Sequence, residues 1–282
     1  MVEPGALLNI LIFFAGASLG SFVNVVAYRL PHEISLIRPR SFCPHCVEPI
    51  PYWANIPILS YVALRGRCYK CAAPIALRYP VTELGLGLIA LYVTFSFPPP
   101  DAAARFVLCA ALFAVSWIDF DWRIIPDAIT LPGIPLGVAA AAWVIPEVGL
   151  TDALVGVALG GGVLFGVGEA YRLLRGYEGM GMGDVKLLAM IGAFLGWQGV
   201  LFTLFVGSAL GAAGGIITGM LTHGGPSEDG KVALAQADPD LPPGGAGGGL
   251  LQTAVPFGPF LSLAAGAFAL FQPQLVSWYL LN

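Results

Sequence analysis

Eight apolar stretches set the terms on which this chain can fold: Leu7 to Tyr28, Val81 to Phe97, Ala102 to Ile118, Ala128 to Ile145, Asp152 to Leu174, Val185 to Trp197, Gly199 to Leu221 and Val255 to Leu280. All but one run 17 residues or more, and about 17 to 25 apolar residues is the length that crosses bilayer hydrocarbon as a helix. With 57% hydrophobic and 11% charged residues and a mean hydropathy of +0.81, the chain has too little polar sequence to enclose these stretches as a water-soluble core. In lipid each backbone N–H and C=O must find its partner within the segment, so the runs are helices. The expected fold class is an all-α polytopic membrane protein with about eight transmembrane helices. Val185 to Trp197 is the exception, since 13 residues reach only about 20 Å. It is expected to be a tilted or partly embedded helix, or to form a tight hairpin with the stretch that follows. The first run lacks a basic leading region and reads as a permanent helix.

Basic residues orient the bundle, because Lys and Arg near helix ends stay on the cytoplasmic side. With the N-terminus outside, the cytoplasmic loops hold Arg29, Arg38, Arg40, Arg65, Arg67, Lys70, Arg78, Arg123, Arg172, Arg175, Lys186 and Lys231, which leaves only Arg105 on the far side. Two cytoplasmic segments are then long. Residues 29–80 form a compact insertion too small for an ordinary hydrophobic core. Residues 222–253, rich in Gly, Pro and Asp, read as a flexible linker. The expected organisation is a first helix (1–28), a cytoplasmic cysteine module (29–80) and a transmembrane domain (81–282). No basic stripe with interleaved aromatics argues for nucleic acid, and the chain shows no internal repeat.

The module carries Cys43-Pro-His-Cys46 and Cys68-Tyr-Lys-Cys71, two CxxC pairs with 21 residues between them. Two such pairs reach one ion from two sides, and four thiolates close a tetrahedral zinc site. Disulfides are the competing reading, disfavoured in the reducing cytoplasm. A four-sulfur site is coordinatively closed, so zinc at Cys43, Cys46, Cys68 and Cys71 would hold the loop and leave chemistry to other groups. His45 reads as a neighbour of the site, and Cys109, mid-helix among alanines and leucines, as an apolar filler.

Two carboxylates remain. Asp119 ends the third stretch in "SWIDFDWRIIPD", and Asp184 opens the sixth after "GMGMG". Both fall at the cytoplasmic edge in a topology derived from Lys and Arg alone. Ionisable groups at the edge of hydrocarbon are costly and mark function, and two at one depth can divide the work of an aspartic protease. One takes a proton from water while the other, protonated, polarises the scissile carbonyl. Gly181 and Gly183, without Cβ atoms, would let a substrate backbone approach Asp184. The structural alternatives are a helix cap for Asp184 and a solvated helix end for Asp119. Asp121 and Asp127 read as structural, Asp127 as a cap of the fourth helix. Glu169 could line a polar cavity, and Lys186 could pair with a headgroup or a substrate carboxylate.

Seven pieces in order, "GSFVNVVAYRLP" (20–31), "RPRSFCPHC" (38–46), "LRGRCYKC" (64–71), "RYPVTE" (78–83), "IDFDWRIIPD" (118–127), "GMGDVKLL" (181–188) and "VPFGPFL" (255–261), resemble the bacterial type IV prepilin peptidases, bifunctional leader peptidases and N-methyltransferases of the GxGD aspartic protease class. The resemblance implies that Asp119 and Asp184 are the catalytic pair. It implies as substrates prepilins and the pilin-like subunits of type II secretion, cut after the leader's terminal Gly at the cytoplasmic face of the bacterial inner membrane. It further implies methylation of the new N-terminus, usually Phe, from S-adenosylmethionine, an activity associated with the cysteine module. The stretch 222–253 is longer than the family leads one to expect. No Rossmann-type glycine fingerprint is present, and Arg38, Arg40 and Glu83 are the candidate contacts for the methyl donor. Asn24, Ser21, Pro256 and Gly258 read as structural. Two rival readings are a GxGD protease without methyl transfer, and a transporter relaying protons through Asp119, Asp184 and Glu169 with a regulatory zinc module.

Overall fold

The computed structural model describes residues 5–175, 181–221 and 256–281, with side chains to 174, from 181 to 217 and from 256 to 272. The linker expected at 222–253 lies outside the described residues. Helix α1 (Ala6–Arg29) leads into the cysteine module, which holds a 3-10 turn (Tyr52–Asn55) and a short helix, α2 (Leu59–Ala63). Then come α3 (Arg78–Ser96), α4 (Pro99–Trp122), α5 (Asp127–Trp143) and α6 (Gly149–Arg175). The stretch Met182–Leu221 is helical on both sides of Gly196 and forms two limbs, α7 (182–195) and α8 (197–221), before α9 (Gly258–Leu281).

Gly196 resolves the question raised by the short sixth stretch. Its φ of 69° and ψ of −176° lie outside helical space, in a region glycine enters without a Cβ penalty. A Cβ on Gly192 would lie 2.8 Å from the Val200 side chain, whereas eight residues of straight helix span about 12 Å. The chain therefore reverses here, and α7 and α8 are a hairpin. Neighbours agree: Gly133 and Gly137 of α5 meet Met190 and Phe194 in ascending order, while Gly199, Gly207 and Gly211 of α8 meet Phe268, Leu261 and Phe257 of α9 in descending order. Counting the limbs separately gives the eight membrane helices expected, with α5 and α7 the short ones.

Close helix contacts use small residues, as they do where lipid removes the hydrophobic incentive to associate. A Cβ on Gly20 would lie 2.8 Å from the Glu83 Cα, and one on Gly16 would press on Ala90 and the Leu86 carbonyl, so this GxxxG face lets α1 lie on the α3 backbone. Gly156 and Gly160 repeat the device between α6 and α7. At the bundle centre Leu108, Leu112 and Val115 of α4 pack with Leu187, Leu188 and Ile191 of α7 and Leu261 of α9.

In the module Cys43 is the sole buried residue among 30–77, which bears out the expectation that this segment has no ordinary core. Arg29, itself buried, donates to the Ser35 and Pro39 carbonyls and gathers the start of the loop. The expectation of no internal repeat is corrected here. Residues 41–50 and 66–75 are two copies of one knuckle, offset by 25. Cys43 N–H bonds the Glu48 carbonyl as Cys68 N–H bonds that of Ala73, and Ile50 bonds Ser41 as Ile75 bonds Gly66. The shared pattern CxxCxxPI is visible in the sequence, but at ten residues per copy it is shorter than the repeats that build whole architectures.

Candidate functional site

One end of the bundle gathers the polar ends of α3, α4, α5, α7 and α9. Asp119 sits one turn before the end of α4, 6% exposed. Its Oδ2 accepts the backbone N–H of Gly258, the first residue of α9, at 2.9 Å, and among the described residues its Oδ1 has no hydrogen-bond partner. A Cβ on Gly258 would lie 2.6 Å from that same Oδ2, so only glycine lets the α9 backbone come this close. Asp184 lies half-buried in the first turn of α7, within electrostatic reach of Asp119. Because α7 starts at Met182, Asp184 stands inside the helix rather than capping it. The two expected residues thus come within electrostatic range of each other from α4 and α7, with the start of α9 against one of them.

An ion pair two residues beyond each carboxylate ties its helix to a neighbour. Asp121 is bonded to Arg78 at the start of α3. Lys186 Nζ lies 2.7 and 2.8 Å from the two oxygens of Asp127 at the start of α5. Asp127 is therefore no cap: it is the first residue of α5, and Lys186 takes its carboxylate. Gly183 leaves room for Ile125, whose Cβ would lie 2.9 Å from an added Cβ, whereas among the described residues an added Cβ at Gly181 would meet nothing nearer than 4.0 Å. Glu169 pairs with Arg172 on α6.

The sequence reading missed Gly258 as a partner of Asp119, although its motif was in view. It also used Arg105 only as a topological counter-example. Arg105 is buried at the opposite end of the bundle, bonded to Asp101 Oδ1 at 2.7 Å, the Ala269 carbonyl at 2.6 Å and Gln272 at 3.2 Å, with Glu147 at 3.2 Å. Its guanidinium lies over the Phe97 ring.

In the module the sulfurs of Cys43, Cys46, Cys68 and Cys71 lie within 4.8 Å of one another, with Cys43 and Cys71 at 3.8 Å. A tetrahedron with metal–sulfur bonds of about 2.3 Å needs sulfurs about 3.8 Å apart, so the donor set fits zinc. The N–H groups of Cys71 and Lys70 aim at Cys68 and bring its thiol down to about 6. Cys71 receives the Ala73 N–H, yet burial and the crowding of the other sulfurs carry it up to about 11. Four thiols so close compete to ionise, and a divalent cation is what lets all four do so. Glu48 and Lys70 pair across the two knuckles at 2.6 Å.

The methyl-donor candidates separate. Arg38 and Arg40 are exposed, Arg40 stacked 4.1 Å over Tyr52, and their guanidinium chemistry suits a carboxylate. Glu83 is buried, and its Oε2 accepts the Ile58 N–H at 2.7 Å, which commits that oxygen to the fold.

Two family models match the chain: the bacterial peptidase A24 N-terminal domain over residues 14–97, and the type IV leader peptidase family over residues 106–216. Among relatives, a prepilin leader peptidase/N-methyltransferase of Burkholderia pseudomallei (strain K96243) is 36% identical over 91% of this chain and 82% of its own length. Proteins of the same name from Aeromonas hydrophila and Pseudomonas aeruginosa are each 35% identical, over 96% and 94% of this chain and 93% and 91% of theirs. No solved structure matches the chain.

Proposed function

The chain belongs to the type IV leader peptidase family, and from that premise we infer that it removes the leader peptide of prepilins and methylates the N-terminus so exposed. It is a multi-pass protein of the inner membrane and an aspartic peptidase. Asp119 and Asp184 are the catalytic pair, and the observation that carries this assignment is the Gly258 N–H on Oδ2 of Asp119. A buried carboxylate answered by one backbone donor, with Arg123 near but not in an ion pair among the described residues, is held in place without being neutralised, which suits a group that must exchange protons. In the reaction one carboxylate takes a proton from water as the oxygen adds to the peptide carbonyl, and the protonated partner gives its proton to the carbonyl oxygen. Collapse of the tetrahedral intermediate breaks the C–N bond, with a proton delivered to the leaving nitrogen. Gly181, where an added Cβ would meet nothing nearer than 4.0 Å among the described residues, suits an extended leader passing beside Asp184, whereas the space beside Gly183 is taken by Ile125.

The N-terminus lies outside and the catalytic end faces the cytoplasm, supported by the basic residues collected at that end. The pilin-like subunits of type II secretion are substrates alongside prepilins. Zinc on the four cysteines holds the module of residues 29–80, and S-adenosylmethionine supplies an electrophilic methyl group. Arg38 and Arg40 would hold the donor's carboxylate, while Glu83 acts through the fold.

Mass spectrometry of a co-expressed prepilin tests both activities together. Wild type yields a shortened, methylated N-terminus. Asp119→Asn and Asp184→Asn yield the intact leader, and normal processing by either would refute the pair. Cys43→Ser is expected to lower bound zinc, measured on purified protein, and to reduce methylation before cleavage. A metal-free wild type would overturn the zinc assignment.

A further inference from the structure

The bond between Ile58 and Glu83 joins the module to the bundle at a known depth. Ile58 is β-branched yet has a φ of 62° and a ψ of −50°, with the Leu59 N–H on the Pro57 carbonyl at 2.6 Å, a γ-turn that is rare and strained. Strain of this kind persists where surroundings impose it, and here the buried Glu83 carboxylate receives the Ile58 N–H. Glu83 is five residues into α3, so its Cα lies about 7.5 Å below the helix start. Helical side chains lean toward the N-terminus, which brings the bond up to the first turn of α3. That turn is the polar boundary of the membrane helices, where Arg78 pairs with Asp121. The chain around Ile58 is therefore held at headgroup level.

This pinned segment is unusually apolar on its open side. Tyr52 (80%), Trp53 (58%), Ile56 (42%), Leu59 (54%) and Val62 (68%) are all exposed, with Leu59 and Val62 on one face of α2. On a module projecting into water, five large apolar or aromatic side chains exposed within residues 52–62, even with Arg40 over Tyr52 and Tyr69 against Trp53, would be a burden soluble surfaces avoid. At headgroup level they are what a bilayer boundary selects: aromatic rings with a polar edge beside aliphatic side chains. Leu77, just before α3, and Val81 and Leu84 on its outer face are exposed in the same way and begin at the same level. Arg65 and Arg67 follow, exposed and without an ion pair among the described residues.

We propose that residues 52–62 are a membrane-surface anchor whose partner is the lipid of the adjoining leaflet. Trp53, Ile56, Leu59 and Val62 enter the boundary between headgroups and acyl chains, and Arg65 and Arg67 meet lipid phosphates. Glu83 is the positioning residue that sets the depth. The anchor depends on the membrane topology and is independent of the peptidase and methyltransferase assignments.

The full-length protein in vesicles of phosphatidylethanolamine and phosphatidylglycerol tests this, with p-benzoylphenylalanine placed in turn at Leu59, at Val62 and, as the lipid-facing reference, at Leu84. Lipid adducts at the first two positions are expected within about threefold of the reference. Yields lower by about tenfold or more, or adducts to added prepilin in their place, would overturn the anchor. A second measurement leaves the segment nearly intact: the fluorescence of wild type minus that of Trp53→Phe isolates Trp53. Bromine placed near the headgroup of the vesicle lipids should quench that difference signal, and an unquenched signal would equally overturn the proposal.

Discussion

Helix α4 carries the same spacing twice. Asp101 is followed four residues on by Arg105, and Asp119 by Arg123. At the first pair the helix continues, and the two side chains meet at 2.7 Å with both residues at most 1% exposed. Gln272 and the Ala269 carbonyl occupy further donors of the guanidinium. At the second pair α4 stops at Trp122. Arg123 turns left-handed, with a φ of 55°, and no ion pair links it to Asp119. One buried carboxylate is neutralised and stitched to α9. Among the described residues the other meets α9 through a backbone N–H and has no ion pair. On a single helix the contrast separates an architectural carboxylate from the one proposed to do chemistry, and it is decided by where the helix ends.

The sharpest way to break the comparison is to remove each charge in turn. Asp119→Asn should cut prepilin cleavage by about 10³-fold or more, or roughly 4 kcal/mol of transition-state stabilisation, with little change in thermal stability. Asp101→Asn should show the opposite ranking. Next in size is Arg105→Leu, which strands Asp101 in the interior. Leaving one buried partner uncompensated costs about 3 to 5 kcal/mol, to be read as a lowered unfolding midpoint in detergent. If Arg105→Leu leaves that midpoint unchanged, the architectural reading of this end fails.

Gly258→Ala comes third. A methyl group there collides with Oδ2, so either the carboxylate or the start of α9 must move. Displacement of about 1 Å in a catalytic group costs about 10²-fold, expected in kcat with KM largely kept. Smallest is the Lys186–Asp127 pair beside Asp184. Partly exposed ion pairs contribute about 0.2 to 1 kcal/mol, so Lys186→Asp should slow cleavage by no more than about fivefold. Adding Asp127→Lys to it should restore the rate, and failure of that exchange would show that the pair does not position α7.

Much of this was legible before any coordinates. The placing of both carboxylates at helix ends was expected from hydropathy, and the clustering of the four module cysteines from CxxC spacing, because each signal is local. The α7–α8 hairpin was half legible: thirteen residues were too short to cross alone, but only the φ of Gly196 distinguishes a reversal from a tilt. Lys186 was undecidable, since its partner lies 59 residues away on another helix. Asp127 looked like a cap because capping is judged from neighbours in sequence, whereas its carboxylate was drawn off by that distant lysine.

The sequence by itself determined that the chain is built of apolar helices of membrane-crossing character and which four sulfurs can share an ion, because bilayer thickness and metal coordination act on short stretches. Which of two equally spaced Asp and Arg pairs would close, and that a glycine 139 residues away would present its N–H to Asp119, were decided only when α4 and α9 packed. Side-chain partners at that separation depend on helix register and termination, and those are properties of the assembled bundle.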